Sequence, residues 1–230
     1  MSSELDILPR ALSLAVHELR TPITVATGYL RMVLREQAGP LSDKQRQMIE
    51  EADRSCGRIG ALISEMSELG KLEAGELRVP GVTFDLVPLV AELASNMQEG
   101  QDRGIHLDVR ATEPAVVAGD RTRLAAALKA LILAALRERG EPGVIMVECS
   151  TLPDSSRTWA VVTIGDDTVT PSLLEGAHAT PPLPFDEWRG GLGLALPVGR
   201  RVIEAHGGAV WSAPGPRPRA GSALRLPAAE

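Results

Sequence analysis

His17-Glu18-Leu19-Arg20-Thr21-Pro22-Ile23-Thr24 decides the reading of this chain, because it sets an imidazole, an adjoining carboxylate and a hydroxyl four residues on along one apolar-periodic segment. Leu5, Leu8, Leu12, Ala15 and Leu19 recur at alternating steps of three and four residues, the spacing with which a helix buries one seam against partner helices. On that register His17 and Thr21 fall on the face turned away from the seam, one above the other. A solvated imidazole there offers a neutral nitrogen nucleophile at cytoplasmic pH. Glu18 can accept the proton of the other ring nitrogen, fixing the tautomer and stabilising the charge that develops if the ring takes up a phosphoryl group. Pro22 removes a backbone donor at a cost of roughly 3 kcal/mol in a helix interior. Its place one turn after His17 predicts a bend that the site uses.

Outward from this stretch, the first helix is predicted from about residue 4 to 36, stopped at Gln37-Ala38-Gly39-Pro40 by a left-handed glycine and a proline that cannot continue it. Ser42 and Gln45 make a capping box. The apolar rhythm of Ile49, Ala52, Cys56, Ile59, Ile63 and Met66 then carries a second helix to about residue 74. Each helix of such a hairpin has one partner and a long apolar seam, so the hairpin is expected to pair with a second copy as a four-helix bundle, a homodimer. The first domain is accordingly residues 1–76. A linker with Pro80-Gly81 as its turn leads to a second domain at residues 82–230.

Within that domain Pro88 to Met97 reads as a helix, Ile105 to Val109 and Ala115 to Ala118 as strands, and Asp120 as the cap of a helix from Arg121 to Arg139. Val144 to Cys149 and Trp159 to Ile164 read as an antiparallel pair turning at Pro153-Asp154. A helix from Gly193 to Ala205 and strands at Ala209 to Ser212 and Ser222 to Leu226 complete a mixed, largely antiparallel sheet with helices beside it, an α/β sandwich. His106 falls on the polar alternate of its strand and is expected to be exposed.

Composition narrows the function. The 230 residues are 44% hydrophobic and 23% charged, with a net charge of −6. That is a globular chain with room for two domains. The acidic balance argues against nucleic acid, whose binding needs clustered Lys and Arg to displace counterions. No run is long and uncharged enough for a membrane span, and the N-terminus lacks the basic-then-apolar order of a signal peptide, so the expected location is the cytoplasm. Cys56 and Cys149 are expected to be two buried reduced thiols, and no spacing suggests a metal site.

The segment His17 to Thr24 resembles, at every position, the phosphoacceptor box of bacterial sensor histidine kinases. The resemblance continues through Leu69-Gly70-Lys71-Leu72-Glu73-Ala74-Gly75 and ends with Gly190-Gly191-Leu192-Gly193-Leu194-Ala195 and Glu204-Ala205-His206-Gly207-Gly208, covering nearly the whole chain. It implies a dimerisation and phosphoacceptor hairpin followed by a histidine-kinase-type ATP-binding sandwich. It further implies His17 as the phosphoacceptor, Glu18 as its general base and tautomer partner, and Thr21, in a Glu-x-x-Thr phosphatase motif, as the residue that positions water. The implied partner is the receiver domain of a response regulator. Members of the family usually carry sensor or membrane segments ahead of the acceptor box, and here sixteen residues precede His17. Either the input arrives from a separate sensor or kinase, or the chain is a piece of a longer one.

The middle of the resemblance departs from the family. An Asn-Leu-Leu-x-Asn-Ala pattern, whose second asparagine holds magnesium, is replaced by Ala130-Leu131-Ile132-Leu133-Ala134-Ala135, and Arg137-Glu138 follows where a basic residue and an aromatic are usual. A methyl group cannot supply the oxygen that magnesium requires. Asp166 stands where the family's aspartate receives the adenine amino group, but Thr168 and Thr170 replace the glycines after it, and β-branched residues resist the conformations glycine allows. The segment that would form the nucleotide lid carries Pro181, Pro182 and Pro184 and no Lys or Arg between Thr170 and Arg189. Gly191 and Gly193 remain at a helix start, where backbone N–H groups favour phosphate. Asp166, Gly191 and Gly193 are therefore a remnant nucleotide site, no cofactor is expected, and no metal ligand is assigned.

Three functions follow. One is a pseudo-histidine-kinase, a dimeric phosphotransferase or phosphatase that exchanges a phosphoryl group between His17 and a regulator aspartate without ATP. The alternatives are an Mg-ATP-dependent autokinase that tolerates the altered site, and a scaffold that does no chemistry.

Overall fold

Ser42 shows how directly the sequence writes the first unit. Its side chain accepts the Gln45 amide while the Gln45 side chain accepts the Ser42 amide, and the two orphan donors satisfied in this way start a helix of 31 residues. The computed structural model describes residues 7–76, 79–154, 157–179, 182–213 and 221–229. The start predicted near residue 4, Leu5 of the proposed seam and Pro181 lie outside these. Helices α1 (Ile7–Leu34) and α2 (Asp43–Glu73) form the antiparallel hairpin, within a compact unit of residues 1–76. Helix α1 runs through Pro22 without interruption. Proline there withdraws a single amide, the one that would have bonded the Glu18 carbonyl.

The predicted stop of α1 is displaced. Helical structure ends at Leu34, and the chain enters the left-handed region first at Glu36, at φ 58°, before Gly39 at φ 111°. The Gln37 amide donates to the Met32 carbonyl at 3.1 Å and the Glu36 amide to the Val33 carbonyl at 2.9 Å, the paired bonds of a Schellman cap. A side chain is disfavoured in that conformation by about 1–2 kcal/mol. Glu36 is held there by an ion pair with Arg46, whose other nitrogen donates to the Leu34 carbonyl at 3.2 Å. Gly75, at φ 67°, closes α2 by the same device without that strain.

The hairpin buries Val16 and Ile63, and Leu12 lies beside Gly70 of α2. The seam differs from the a/d reading, since Leu19 is exposed and Val16, one position off the seam, is the buried one. Leu14, Val25, Tyr29, Met32, Met48, Ile59 and Leu62 are exposed as well. The apolar band is therefore wider than one helix partner can cover. Cys56 is half-buried rather than buried, because it lies on this partly open hairpin.

Residues 77–230 form the second compact unit. Asp85 ends strand β1 (Thr83–Asp85) and caps α3 (Leu86–Ser95), accepting from the amides of Val87 and Ala115 at 3.0 Å each. That double role starts α3 two residues before the predicted Pro88, which sits in the first turn where proline is tolerated. A short helix α4 (Gln98–Asp102) leads into β2 (Ile105–Ala111), and β3 (Val116–Ala118) pairs antiparallel with β1. Helix α5 (Arg121–Glu138) starts at Asp120, whose carboxylate accepts from the Thr122 and Arg123 amides. Strands β4 (Gly143–Pro153) and β5 (Thr158–Gly165) form the predicted antiparallel pair. Then come α6 (Thr170–Gly176), α7 (Ala195–Ala205), β6 (Ala209–Ser212) and β7 (Gly221–Pro227).

The main sheet runs β2-β4-β5-β7-β6, with β2 parallel to β4 and the other pairs antiparallel. Helices α5 and α7 pack on one another, and α5 touches β5 and β7. Leu124, Leu128, Ile132 and Leu136 of α5 are fully buried with Ile145 and Ile164 of the sheet. Cys149 is buried in β4, and burial, followed by the charges of Asp85 and Glu148, pushes its thiol up to about 12. His106 is exposed on β2. Helix α6 was not expected from the sequence, because its seven residues are too few to show a helical period. Among the described residues no helix is long and apolar enough to cross a membrane.

Candidate functional site

His17 and Glu18 stand on the outer face of α1 with side chains 81% and 70% exposed, Nδ1 lying 3.4 Å from Oε1. In the tautomer that uses this contact, Nδ1 carries the proton and Nε2 presents its lone pair to solvent. Thr21 is exposed one turn on. The Thr24 hydroxyl, by contrast, donates to the Arg20 carbonyl at 2.8 Å and is committed to the helix backbone. The first turn of the acceptor box thus presents a nucleophile, a proton acceptor and a hydroxyl to whatever docks from solvent.

The remnant nucleotide residues lie in the second unit. Asp166 follows β5 and turns inward on its own chain. Its Oδ1 accepts from the Thr168 amide at 3.0 Å and the Thr168 hydroxyl at 2.6 Å, its Oδ2 faces Arg139 at 3.4 Å, and its main-chain carbonyl accepts the Thr170 hydroxyl at 2.8 Å. Burial works to raise the Asp166 pKa, but the Thr168 and Val169 hydrogen bonds and the Arg139 charge outweigh it and hold the carboxyl below its ordinary range. The two threonines are thus used to bind the aspartate.

Gly190, Gly191 and Gly193 have φ values of 68°, 60° and 61°, the left-handed backbone that favours glycine. A side chain at Gly190 would lie 2.9 Å from the Ala134 Cα. The backbone of the turn therefore rests directly on the position that the sequence aligns with the magnesium ligand. Ala134 is fully buried and Ala130 nearly so. Neither supplies an oxygen to a metal, and among the described residues no group of three or more His, Cys, Asp or Glu is gathered as a metal site. The residues present do not fit magnesium. On the lid side, the chain is pinned to the sheet edge, the Ser212 amide donating to the Pro184 carbonyl at 3.1 Å and the Asp186 amide to the Ser212 hydroxyl at 3.0 Å.

The structure also brings in residues that were not assigned a role. Arg189 is buried, donates to the Gly221 carbonyl at 2.6 Å and pairs with Glu138 at 3.5 Å. Arg137 donates to the Gly191 carbonyl at 3.1 Å and pairs with Glu99 at 2.9 Å. The sequence signal for them was the exchange of a usual aromatic for Glu138, visible only as a departure.

Residues 10–75 match the His Kinase A (phospho-acceptor) domain family. The chain is 26% identical over 201 residues to the signal transduction histidine-protein kinase BarA of Escherichia coli strain K12, covering 84% of this chain and 22% of BarA. It is 26% identical over 207 residues to the cell-division control histidine kinase PdhS of Brucella suis, covering 83% of this chain and 20% of PdhS. Residues 10–75 thus belong to the His Kinase A domain family, and the chain as a whole is similar to bacterial histidine kinases. It spans about a fifth of the length of these histidine kinase relatives. Among solved structures, the histidine kinase fold recurs in full-length ShkA in complex with AMPPNP, with a TM-score of 0.71 and 21% identity over 97% of this chain and 46% of that one. It recurs also in the histidine kinase AdeS of Acinetobacter baumannii, with a TM-score of 0.55 and 20% identity over 93% of this chain and 98% of that one.

Proposed function

We propose that this chain is a two-component signalling protein that exchanges a phosphoryl group between His17 and the aspartate of a response-regulator receiver domain. The exposed His17–Glu18 pair, with Thr21 one turn on, carries this reading. In transfer from the regulator, the Nε2 lone pair attacks phosphorus, an N–P bond forms, and the P–O bond to the aspartate breaks with that carboxylate as the leaving group. The proton on Nδ1 stays in place, and Glu18 balances the positive charge that the ring gains. Transfer toward the regulator is the reverse. In the phosphatase direction Thr21 orients a water toward a docked aspartyl phosphate, which then leaves as inorganic phosphate.

The functional form is a homodimer, supported by the exposed Tyr29, Met48, Ile59 and Leu62 of the hairpin. The expected location is the cytoplasm. Residues Ala134, Thr168 and Thr170 support loss of productive Mg-ATP binding, so no step is assigned to nucleotide. An ATP-dependent autokinase is the second reading, favoured by Gly191 and Gly193, which keep a left-handed turn before α7. The experiment is a time course of labelled phosphoryl transfer between this protein and a phosphorylated regulator, with wild type and His17→Ala. Label appearing on wild type and absent from the variant supports the reading. Label that appears from Mg-ATP alone moves it to the autokinase.

A further inference from the structure

Three consecutive residues at the end of α5 each reach a different part of the remnant nucleotide site. Arg137 donates to the carbonyls of Gly190 and Gly191, at 3.4 and 3.1 Å, while Glu99 of α4 holds the other side of its guanidinium at 2.9 Å. Glu138 pairs with Arg189. Arg139 pairs with Asp166 at 3.4 Å. Successive helical residues point about 100° apart, so one helix end gathers the glycine turn, the residue before it and the end of β5 around itself.

We propose that Arg137, Glu138 and Arg139 form a clasp that holds the remnant nucleotide site closed without a ligand, with Arg189 as its built-in cation. The inference rests on the reading that Mg-ATP binding is lost, and it names what fills the site instead. Glu138 lies one turn beyond Ala134 on the same face of α5, where the family's metal ligand would sit. Arg189 is 4% exposed, and a guanidinium so desolvated needs its carboxylate partner. The Gly190 backbone, seated on Ala134, leaves no space between turn and helix at that point. The turn is fixed through its carbonyls by Arg137, and the lid side is fixed by Ser212. Nucleotide concentration then has no hold on the conformation of this unit, and any signal to the hairpin arrives by another route.

The test is a thermal-melting cycle on the full chain with Arg189→Met, Glu138→Leu and the double variant. Each single variant removes one side of a buried ion pair and should lower Tm by roughly 6–12 °C, while the double variant recovers at least half of that. Additive losses in the double variant would overturn the clasp. If the single variants do not fold, Arg137→Met, at the surface, keeps the question open to measurement. The Ala195 amide, bonded to the Leu192 carbonyl at the end of the turn, should exchange at least about tenfold faster in Arg137→Met, and an unchanged rate overturns the clasp. A magnesium-dependent rise in the wild-type Tm with ATP is a separate failure, since it removes the loss of ATP binding itself.

Discussion

Nδ1 of His17 and Oε1 of Glu18 lie 3.4 Å apart on the solvent face of α1, a contact long enough to be loose at rest and short enough to tighten when the ring becomes cationic. Glu18→Gln keeps the shape and removes the charge. It should slow phosphoryl transfer by about 10²-fold, within the range for a positioned acid–base group, whereas His17→Ala should abolish it. Transfer rates from a phosphorylated regulator check both, and a Glu18→Gln rate equal to wild type removes Glu18 from the mechanism.

Millimolar Mg-ATP should leave Tm almost unchanged, because a ligand below its dissociation constant adds less than about 0.4 kcal/mol. Position 134 explains why, since the Ala134 methyl offers no ligand to the metal and Gly190 is packed on it. A shift of several degrees that depends on magnesium would return this unit to the ATP-binding kinases.

The hairpin was legible because its signals are local: the Ser42 and Gln45 box and the acceptor box each lie within a few residues of what they determine. The strands of the main sheet were legible from alternation, whereas the three-residue β1 is too short to show one. What the sequence hid depends on pairing at a distance. Glu36 takes the left-handed position because Arg46, ten residues on, holds it, and Val16 displaces Leu19 from the interior because a band wider than an a/d seam fixes rotation only through packing. The Glu138–Arg189 pair spans two segments far apart in the chain, and no periodicity reports such a contact.

Ile59 and Leu62, one turn apart on α2 and both exposed, are the cleanest probes of assembly. Leu12 is less so, since it already packs against Gly70 of its own hairpin. In the proposed dimer Ile59→Asp places a carboxylate in the seam and should convert dimer to monomer, with the hairpin still helical. Light scattering with circular dichroism measures both. Wild type running as a monomer at micromolar concentration would refute the four-helix arrangement.

Asp120 links acidity to the stability of the second unit. Burial tends to raise its pKa, but hydrogen bonds from Arg123 and Thr122 and the Arg123 charge prevail and lower it. A carboxyl whose folded pKa is below its unfolded value of about 3.9 stabilises the fold above that value and loses the contribution as pH falls through the folded pKa. Asp120→Ala removes the cap of α5 and should cost about 1 kcal/mol at pH 7. Urea melts at pH 7 and pH 3 should therefore show the gap between wild type and variant closing in acid. A gap that stays constant would mean that the cap acts without its charge.

In the proposed mechanism Thr21 separates the two directions of phosphoryl chemistry. It shares the exposed face of α1 with His17, yet a hydroxyl at neutral pH is a poor nucleophile and a good partner for water. Thr24 cannot replace it, because its own hydroxyl is bonded to the Arg20 carbonyl. Thr21→Ala should leave transfer between His17 and the regulator nearly intact while slowing regulator dephosphorylation by about 10²-fold, the loss expected when a positioning group is removed. Thr21→Ser restores the hydroxyl without the methyl and should recover most of the phosphatase rate, which separates the hydroxyl from any packing role. The measurement is decay of the phosphorylated regulator with each variant in turn. If Thr21→Ala matches wild type while His17→Ala removes all activity, Thr21 has no part in hydrolysis and the protein is a phosphotransferase alone. If neither substitution changes the decay, the hairpin binds its regulator without chemistry.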